Sequence, residues 1–164
     1  MSIKIASINV NGLRNVKKRT LVFNWIVLQN IDLVCLQETH CTQDQTWLWS
    51  KEWKEYGGGE SFWNCGTNES RGVGILLNKD FTLSFDVSMI DDKGRMQIGE
   101  FKTNTAVYHI FNLYTPNKGS ERKLFFENLK NFKNELYSDD GTDHYNIFLG
   151  DFKLDRSPSH QKDD

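Results

Sequence analysis

Two apolar runs in this chain each lead to a single carboxylate. Residues 33–36 lead to Glu38, and residues 147–149 lead through a glycine to Asp151. A buried strand is stiff and fixes the direction of its last side chains, which a chemically active site requires. We therefore interpret Glu38 and Asp151 as candidate site residues.

Two further strand-like runs end in amide and phenol groups. The run 3–10 ends near Asn9 and Asn11, and the run 106–114 ends at Tyr114. Carboxylate and amide oxygens are hard ligands of the kind that Mg²⁺ takes beside substrate phosphate. Two converging carboxylates repel each other without a cation, and a divalent ion also polarises a phosphodiester. The four strand ends together predict a magnesium site that acts on a phosphate ester.

Each of these residues also has an ordinary structural interpretation. A glutamate after a strand is usually solvated, and the Gly-Asp pair at Asp151 is typical of a turn. Asn11 followed by glycine is a common turn signal. The basic residues within 14–19 fit either a solvated helix entrance or a phosphate contact. No single residue decides between these alternatives.

Apolar periodicity predicts a β-α-β unit at the start of the chain. The run 3–10 alternates like a strand, 16–30 has helical spacing, and 32–37 reads as a buried strand. The two strands should pair in parallel through a right-handed crossover. The predicted core face of the helix consists of Val22, Trp25, Ile26 and Gln29.

The middle of the chain predicts a short helix followed by strands. Residues 41–56 fit a helix with a Thr42–Gln45 capping box and with Trp49 and Trp53 on one face. A Gly-rich turn then leads into a strand that ends at Cys65. Four later strand-like runs with short connections favour an antiparallel meander; they are 72–78, 81–90, 94–103 and 106–114.

The last predicted elements are a helix over 119–137 and a strand over 145–150. Ser120 is the expected helix cap. The expected core face of this helix, at helical spacing, consists of Phe125, Leu129, Phe132 and Leu136. We expect one domain over residues 1–152 and an irregular tail over 153–164.

Composition excludes several classes of protein. The 164 residues are 38% hydrophobic and 26% charged, so the chain is neither disordered nor fibrous. The net charge of −2 gives no overall basic face for nucleic acid. Cys35, Cys41 and Cys65 have no metal-binding spacing, and we expect reduced thiols in an intracellular protein. The start lacks a secretory signal, and the longest apolar run, 20–31, is too short to cross a bilayer.

Four motifs occur in a fixed order: INVNGL, LQETH, NLYTPN and FLGDF. Together they resemble the endonuclease/exonuclease/phosphatase superfamily, which includes exonuclease III-like abasic-site (AP) endonucleases and the endonuclease domains of LINE-type non-LTR retrotransposons. QETH, YTPN and the LDR after the aspartate are more similar to the retrotransposon branch, for which LINE-1 is the type.

The resemblance implies a fold, a reaction and partners. The fold would be a partial four-layered α/β sandwich, with two mixed β-sheets flanked by helices. The reaction would be metal-dependent hydrolysis of a DNA phosphodiester, with Mg²⁺ or Mn²⁺ as cofactor. Double-stranded DNA would be the substrate. We further expect a monomer without membrane attachment, located in the nucleus.

The resemblance also assigns roles to residues. Glu38 would be the main metal ligand, and Asn11 occupies a position that supplies a ligand in some members. Asn9 would hold the aspartate or the phosphate, Tyr114 would donate to the phosphate, and Asp151 would orient or deprotonate water. The implied contacts with phosphate and DNA come from Asn9, Arg14, His40, Asn117 and Lys153.

Two departures from the family pattern qualify this expectation. Lys153 stands where the family carries asparagine; lysine only donates, on a flexible stem, so we expect fixed geometry to be lost there. The 164 residues also lack the late Ser-Asp-His motif of the family. We therefore expect an incomplete domain with exposed apolar edges and with weak or absent activity. The alternatives are a phosphoinositide- or sphingomyelin-type phosphodiesterase and a non-catalytic relic that binds nucleic acid.

Overall fold

Two mixed four-stranded sheets pack face to face, with α-helices on their outer sides. The structure is a computed structural model that describes residues 2–136 and 141–153. The predicted four-layered α/β sandwich is confirmed. The tail prediction falls mostly on residues 154–164, which lie outside the described residues.

The first sheet contains the β-α-β unit that the sequence predicts. Its strand order is β1-β2-β4-β3, with β1 parallel to β2 and the other pairs antiparallel. Helix α1, Val16–Leu28, is the crossover between the parallel pair. The strands are β1 Ile5–Asn9, β2 Leu33–Gln37, β3 Gly58–Asn64 and β4 Val73–Asn78.

Helix α1 matches the predicted core face only in part, since Ile26 is buried and Val22 packs against the core, but Trp25 and Gln29 are exposed. Its buried residues are Arg19, Phe23 and Ile26, whereas Trp25 is 49% exposed. The reason is Arg19, because its guanidinium donates to both carboxylate oxygens of Glu52 and can therefore be buried. The exposed face of α1 is apolar as a result, with Leu21, Trp25 and Leu28 on the surface.

Helix α2 spans Thr46–Glu55 and follows a 3₁₀ turn at Gln43–Gln45. The predicted capping box is wrong, since Thr42 makes no side-chain capping bond. The shared face of Trp49 and Trp53 is confirmed, since both are buried. These indoles provide the bulk that packs α2 on the sheet.

The second sheet has the strand order β5-β6-β7-β8. Strands β5 to β7 form the predicted antiparallel meander, but the run 72–78 does not belong to it. That run is β4, which pairs with β2 and β3 because its two buried faces require a central position. The strands are β5 Phe85–Ile90, β6 Met96–Lys102, β7 Ala106–Tyr114 and β8 Asp143–Asp151.

Helix α3, Gly119–Glu135, connects β7 to its parallel neighbour β8. The predicted Ser120 cap is wrong: the capping position is Lys118, without a side-chain bond. The predicted core face is confirmed, because Phe125 and Leu129 are buried and Phe132 and Leu136 pack beside them. Within residues 2–136 and 141–153, none of the helices is long and apolar enough to cross a membrane.

Candidate functional site

Four strands deliver polar side chains to one edge of the sandwich. Strands β1 and β2 end there from the first sheet, and β7 and β8 end there from the second. The Asn9 amide nitrogen donates to Glu38 Oε1 at 2.9 Å and to Asp151 Oδ2 at 2.8 Å. One amide therefore joins two carboxylates that are far apart in sequence, and it joins the two sheets.

The loop that carries Glu38 is held on both sides by main-chain hydrogen bonds. Gly12 N–H donates to the Glu38 carbonyl at 2.6 Å, and Thr39 N–H donates to the Gly72 carbonyl at 3.0 Å. Gly12 has φ +84°, and a Cβ there would lie 2.9 Å from His40 Nδ1. The Asn-Gly pair is thus a close-approach point between two site loops rather than a hairpin turn.

Tyr114 closes the site from the second sheet. It is buried at the end of β7, where it pairs in register with Asp151. Burial first, and then hydrogen bonding to Glu38 and the charge of that carboxylate, raise the pKa of Tyr114 to about 12. The phenol is a hydrogen-bond donor at neutral pH, and the raised pKa extends its protonated range to more alkaline pH.

Lys153 lies against Asp151 in a defined position. Its ammonium is 2.6 Å from Asp151 Oδ2, and its main-chain N–H donates to Thr115 Oγ1 at 2.8 Å. Thr115 is buried, and its hydroxyl donates to the Asp151 carbonyl at 3.0 Å. Lys153 therefore has defined contacts with Asp151 and Thr115, whereas the geometry of its expected contact with phosphate stays a prediction.

The other predicted site residues lie around this cluster. Asn11 contacts it through its main-chain N–H, which donates to Asn9 Oδ1 at 3.0 Å, while its side chain is exposed. His40 Nε2 lies 3.9 Å from Glu38 Oε2. Arg14 and Asn117 are exposed on loops that follow β1 and β7. The roles of these residues, and of the four at the centre, stay predictions.

The positions of two arginines, Arg95 and Arg19, were not predicted from the sequence. Arg95 places its guanidinium 5.0 Å from the centroid of the Tyr114 ring, a cation–π contact at the edge of the site. Its only sequence signal is its place after a turn glycine. Arg19, which the sequence grouped with a solvated basic cluster, is instead a buried structural residue paired with Glu52.

A buried polar network supports the site from below. Gln37 precedes Glu38, and its amide donates to Asn112 Oδ1 at 2.8 Å. The Asn112 amide donates in turn to the carbonyls of Leu36 and Gly74. Both Gln37 and Asn112 are almost fully buried, so this network fixes the two sheets against each other directly beneath Glu38.

The donor set suits a small, hard cation held by few protein ligands. Within residues 2–136 and 141–153, no three His, Cys, Asp or Glu side chains form a metal-binding group. Glu38 accepts from the Asn9 amide and is hydrogen-bonded to Tyr114, and its Oε2 lies beyond hydrogen-bonding distance of His40. Mg²⁺ accepts such a site, since one or two carboxylates, water and substrate phosphate complete its shell.

The fold and this cluster define a class: α/β sandwiches with a carboxylate-containing site where the central strands of two sheets end. The chain belongs to the Endonuclease/Exonuclease/phosphatase family, which it matches over residues 6–152. The resemblance drawn from the four motifs is therefore confirmed.

Individual relatives agree with this placement. The chain is 30% identical over 152 residues to the uncharacterised 149 kDa protein of transposon TX1 from Xenopus laevis, covering 93% of this chain and 11% of that protein. An AP endonuclease from Archaeoglobus fulgidus shares the fold with TM-score 0.66 and 19% identity, over 92% of this chain and 57% of that one.

The retrotransposon branch is represented among solved structures as well. The endonuclease domain of TRAS1, a telomere-specific non-LTR retrotransposon, matches with TM-score 0.62 and 10% identity, over 92% of this chain and 58% of that domain. The chain thus spans a small part of the transposon protein and somewhat more than half of the two solved nucleases.

Proposed function

We propose that this chain is a Mg²⁺- or Mn²⁺-dependent endonuclease that hydrolyses phosphodiester bonds in double-stranded DNA. The observation that carries the proposal is the single Asn9 amide that donates to both Glu38 and Asp151. This contact brings two carboxylates with different surroundings to the same edge of the sandwich. Family membership and the nuclease relatives support the same reaction class.

Glu38 would hold the divalent ion, and the exposed Asn11 side chain is the second candidate ligand. When bound, such an ion neutralises charge on the phosphate that is attacked. The chain's own residues supply the remaining functions. Asp151 orients the attacking water and accepts its proton, and Asn9 fixes Asp151 relative to Glu38.

Tyr114 has the properties of a hydrogen-bond donor to the scissile phosphate. It is buried at a strand end, and its pKa, raised to about 12, keeps the phenol protonated well above neutral pH. A neutral donor in a fixed position stabilises negative charge that develops on oxygen in the transition state. Arg95, which lies over the Tyr114 ring, adds positive charge on the same side.

DNA contact would use the cations and amides that surround the cluster. Arg14, His40, Asn117 and Lys153 all lie on loops or strand ends at this edge. With a net charge of −2, the chain has no general attraction for polyanions, so binding depends on this local set. Binding should weaken as salt rises, because phosphate contacts release counterions.

Nicking of supercoiled plasmid by the purified chain tests the proposal. We expect nicking that requires Mg²⁺ or Mn²⁺, is slow, and is lost in the Glu38→Gln variant. The matched control is Glu60→Gln, which changes an exposed glutamate on the edge strand β3 in the same way. The proposal would be overturned if Glu38→Gln nicked plasmid at the wild-type rate. It would also be overturned if the wild-type chain showed no more nicking than Glu38→Gln at any protein concentration.

A further inference from the structure

The two carboxylates of the site are compensated unequally. Asp151 Oδ2 accepts from the Lys153 ammonium at 2.6 Å and from the Asn9 amide at 2.8 Å. Glu38 Oε1 accepts from the same amide, but the nearest cationic group among its described ion pairs is His40, at 3.9 Å. One carboxylate therefore has a full positive charge beside it, and the other does not.

Lys153 is also held more firmly than a typical surface lysine. Its main chain is tied to Thr115, its ammonium lies 5.8 Å from the centroid of the Tyr114 ring, and its side chain is only 34% exposed. These contacts keep the ammonium beside Asp151 instead of in bulk water. The charge is thus part of the site and not a mobile counterion.

We propose that Lys153 acts as a built-in cation, which positions Asp151 and restricts the site to one divalent ion, bound at Glu38. A second divalent ion at Asp151 would have to approach an ammonium that already bonds the same oxygen, and like charges repel at that range. The inference rests on the proposed function, since it concerns the ion-binding capacity of the same site. Lys153 is a positioning residue here, because it acts on the reaction through Asp151.

Mn²⁺ titration, followed by the loss of the free-ion paramagnetic resonance signal, counts the bound ions. The wild-type chain should bind one Mn²⁺, and Lys153→Met should bind two. Lys153→Arg keeps a cation beside Asp151 and should bind one. Lys79→Met changes an exposed lysine in the turn after β4, at the opposite end of that strand from the site, and should match the wild type.

Two further variants locate the ions. Glu38→Gln should lose the ion that the wild-type chain binds, and Asp151→Asn added to Lys153→Met should lose the second one. Circular dichroism of each variant confirms that the fold is retained. Mg²⁺ added in excess should displace the bound Mn²⁺ in every case, because both are hard cations of the same charge.

The outcomes separate this inference from the proposed function. One ion bound in Lys153→Met with wild-type affinity, or two ions bound in the wild type, overturns the inference and leaves the proposed function standing. A wild-type chain that binds no Mn²⁺, or binds it equally well in Glu38→Gln, overturns both.

Discussion

Replacement of Asn112 by alanine should destabilise the protein more than any exposed polar substitution. Asn112 is fully buried in β7 and makes three hydrogen bonds across the sheet interface. It donates to the carbonyls of Leu36, at 3.2 Å, and Gly74, at 2.9 Å, and accepts from Gln37 at 2.8 Å. Alanine removes all three and leaves their partners buried.

The hydrogen bonds set the magnitude. A typical intramolecular hydrogen bond contributes about 1 kcal/mol net, so three contribute about 3 kcal/mol. The small void that alanine leaves adds to this, and we expect a loss of about 3–4 kcal/mol in the free energy of unfolding. Such a loss is a large part of the stability of an ordinary domain, which is about 5–15 kcal/mol.

Urea unfolding followed by tryptophan fluorescence measures this loss. Asn112→Ala should lower the transition midpoint with the slope unchanged, since the surface exposed on unfolding stays the same. Asn104→Ala, at an exposed position in the turn before β7, should change the free energy by less than about 0.5 kcal/mol. Asn112→Asp should be worse than alanine, because its carboxylate would face the carbonyls of Leu36 and Gly74.

The result that refutes this reasoning is a loss below about 1 kcal/mol for Asn112→Ala. It would mean that water enters the interface and replaces the amide, or that Asn112 is not bonded across the sheets. An Asn112→Asp variant as stable as the wild type would refute it equally, since a buried carboxylate cannot donate to either carbonyl.

Two further predictions concern titration and oxidation. In a spectrophotometric titration, the absorbance of Tyr114→Phe is subtracted from that of the wild type, and the difference should show Tyr114 ionising near pH 12. Because the folded state holds this proton more tightly than the unfolded state, it stabilises the fold fully below a pH of about 10, and this stabilisation is lost as the pH rises toward 12. Tyr114→Phe should lack this pH dependence. Ionisation of Tyr114 near pH 10 would contradict the burial argument. Oxidised glutathione should form a disulfide between Cys41 and Cys65, whose sulfurs are 3.0 Å apart, and be reduced to two molecules of glutathione. Mass spectrometry should show the chain losing two hydrogens, and Cys65→Ser should show no such loss. A mixed disulfide with glutathione as the end product would contradict this prediction.

The sequence located the strand ends that form the site edge and the core faces of α2 and α3, and it misplaced part of the core face of α1. Asn9, Glu38, Tyr114 and Asp151 were found from their place after apolar runs, and the structure brings their side chains to one edge. This convergence has a physical basis, because parallel strands that end at one edge bring their last side chains together there. Their catalytic roles stay predictions until the variants are assayed.

The errors have a common physical cause, which is the partner that local sequence does not reveal. Helix α1 is rotated because Arg19 finds Glu52, a residue 33 positions later. The run 72–78 is not part of the meander, because it is buried on both faces and pairs with β2 and β3 inside the first sheet. Periodicity describes one element at a time and carries no information about such pairs.

Residues with a strained backbone are concentrated at the site. This distribution indicates that the strain serves the function of the site and not the stability of the fold. Among the described residues, five non-glycine residues have positive φ, and three of them are Asn11, Glu38 and His40, with φ of 45°, 52° and 55°. Asparagine tolerates this region, but glutamate at such a position costs about 1–2 kcal/mol. Glycine at position 38 would remove that cost, yet it would also remove the carboxylate that Asn9 holds beside Asp151. The strained glutamate is therefore best explained by the need to direct its carboxylate, since its backbone position alone favours a residue without a side chain.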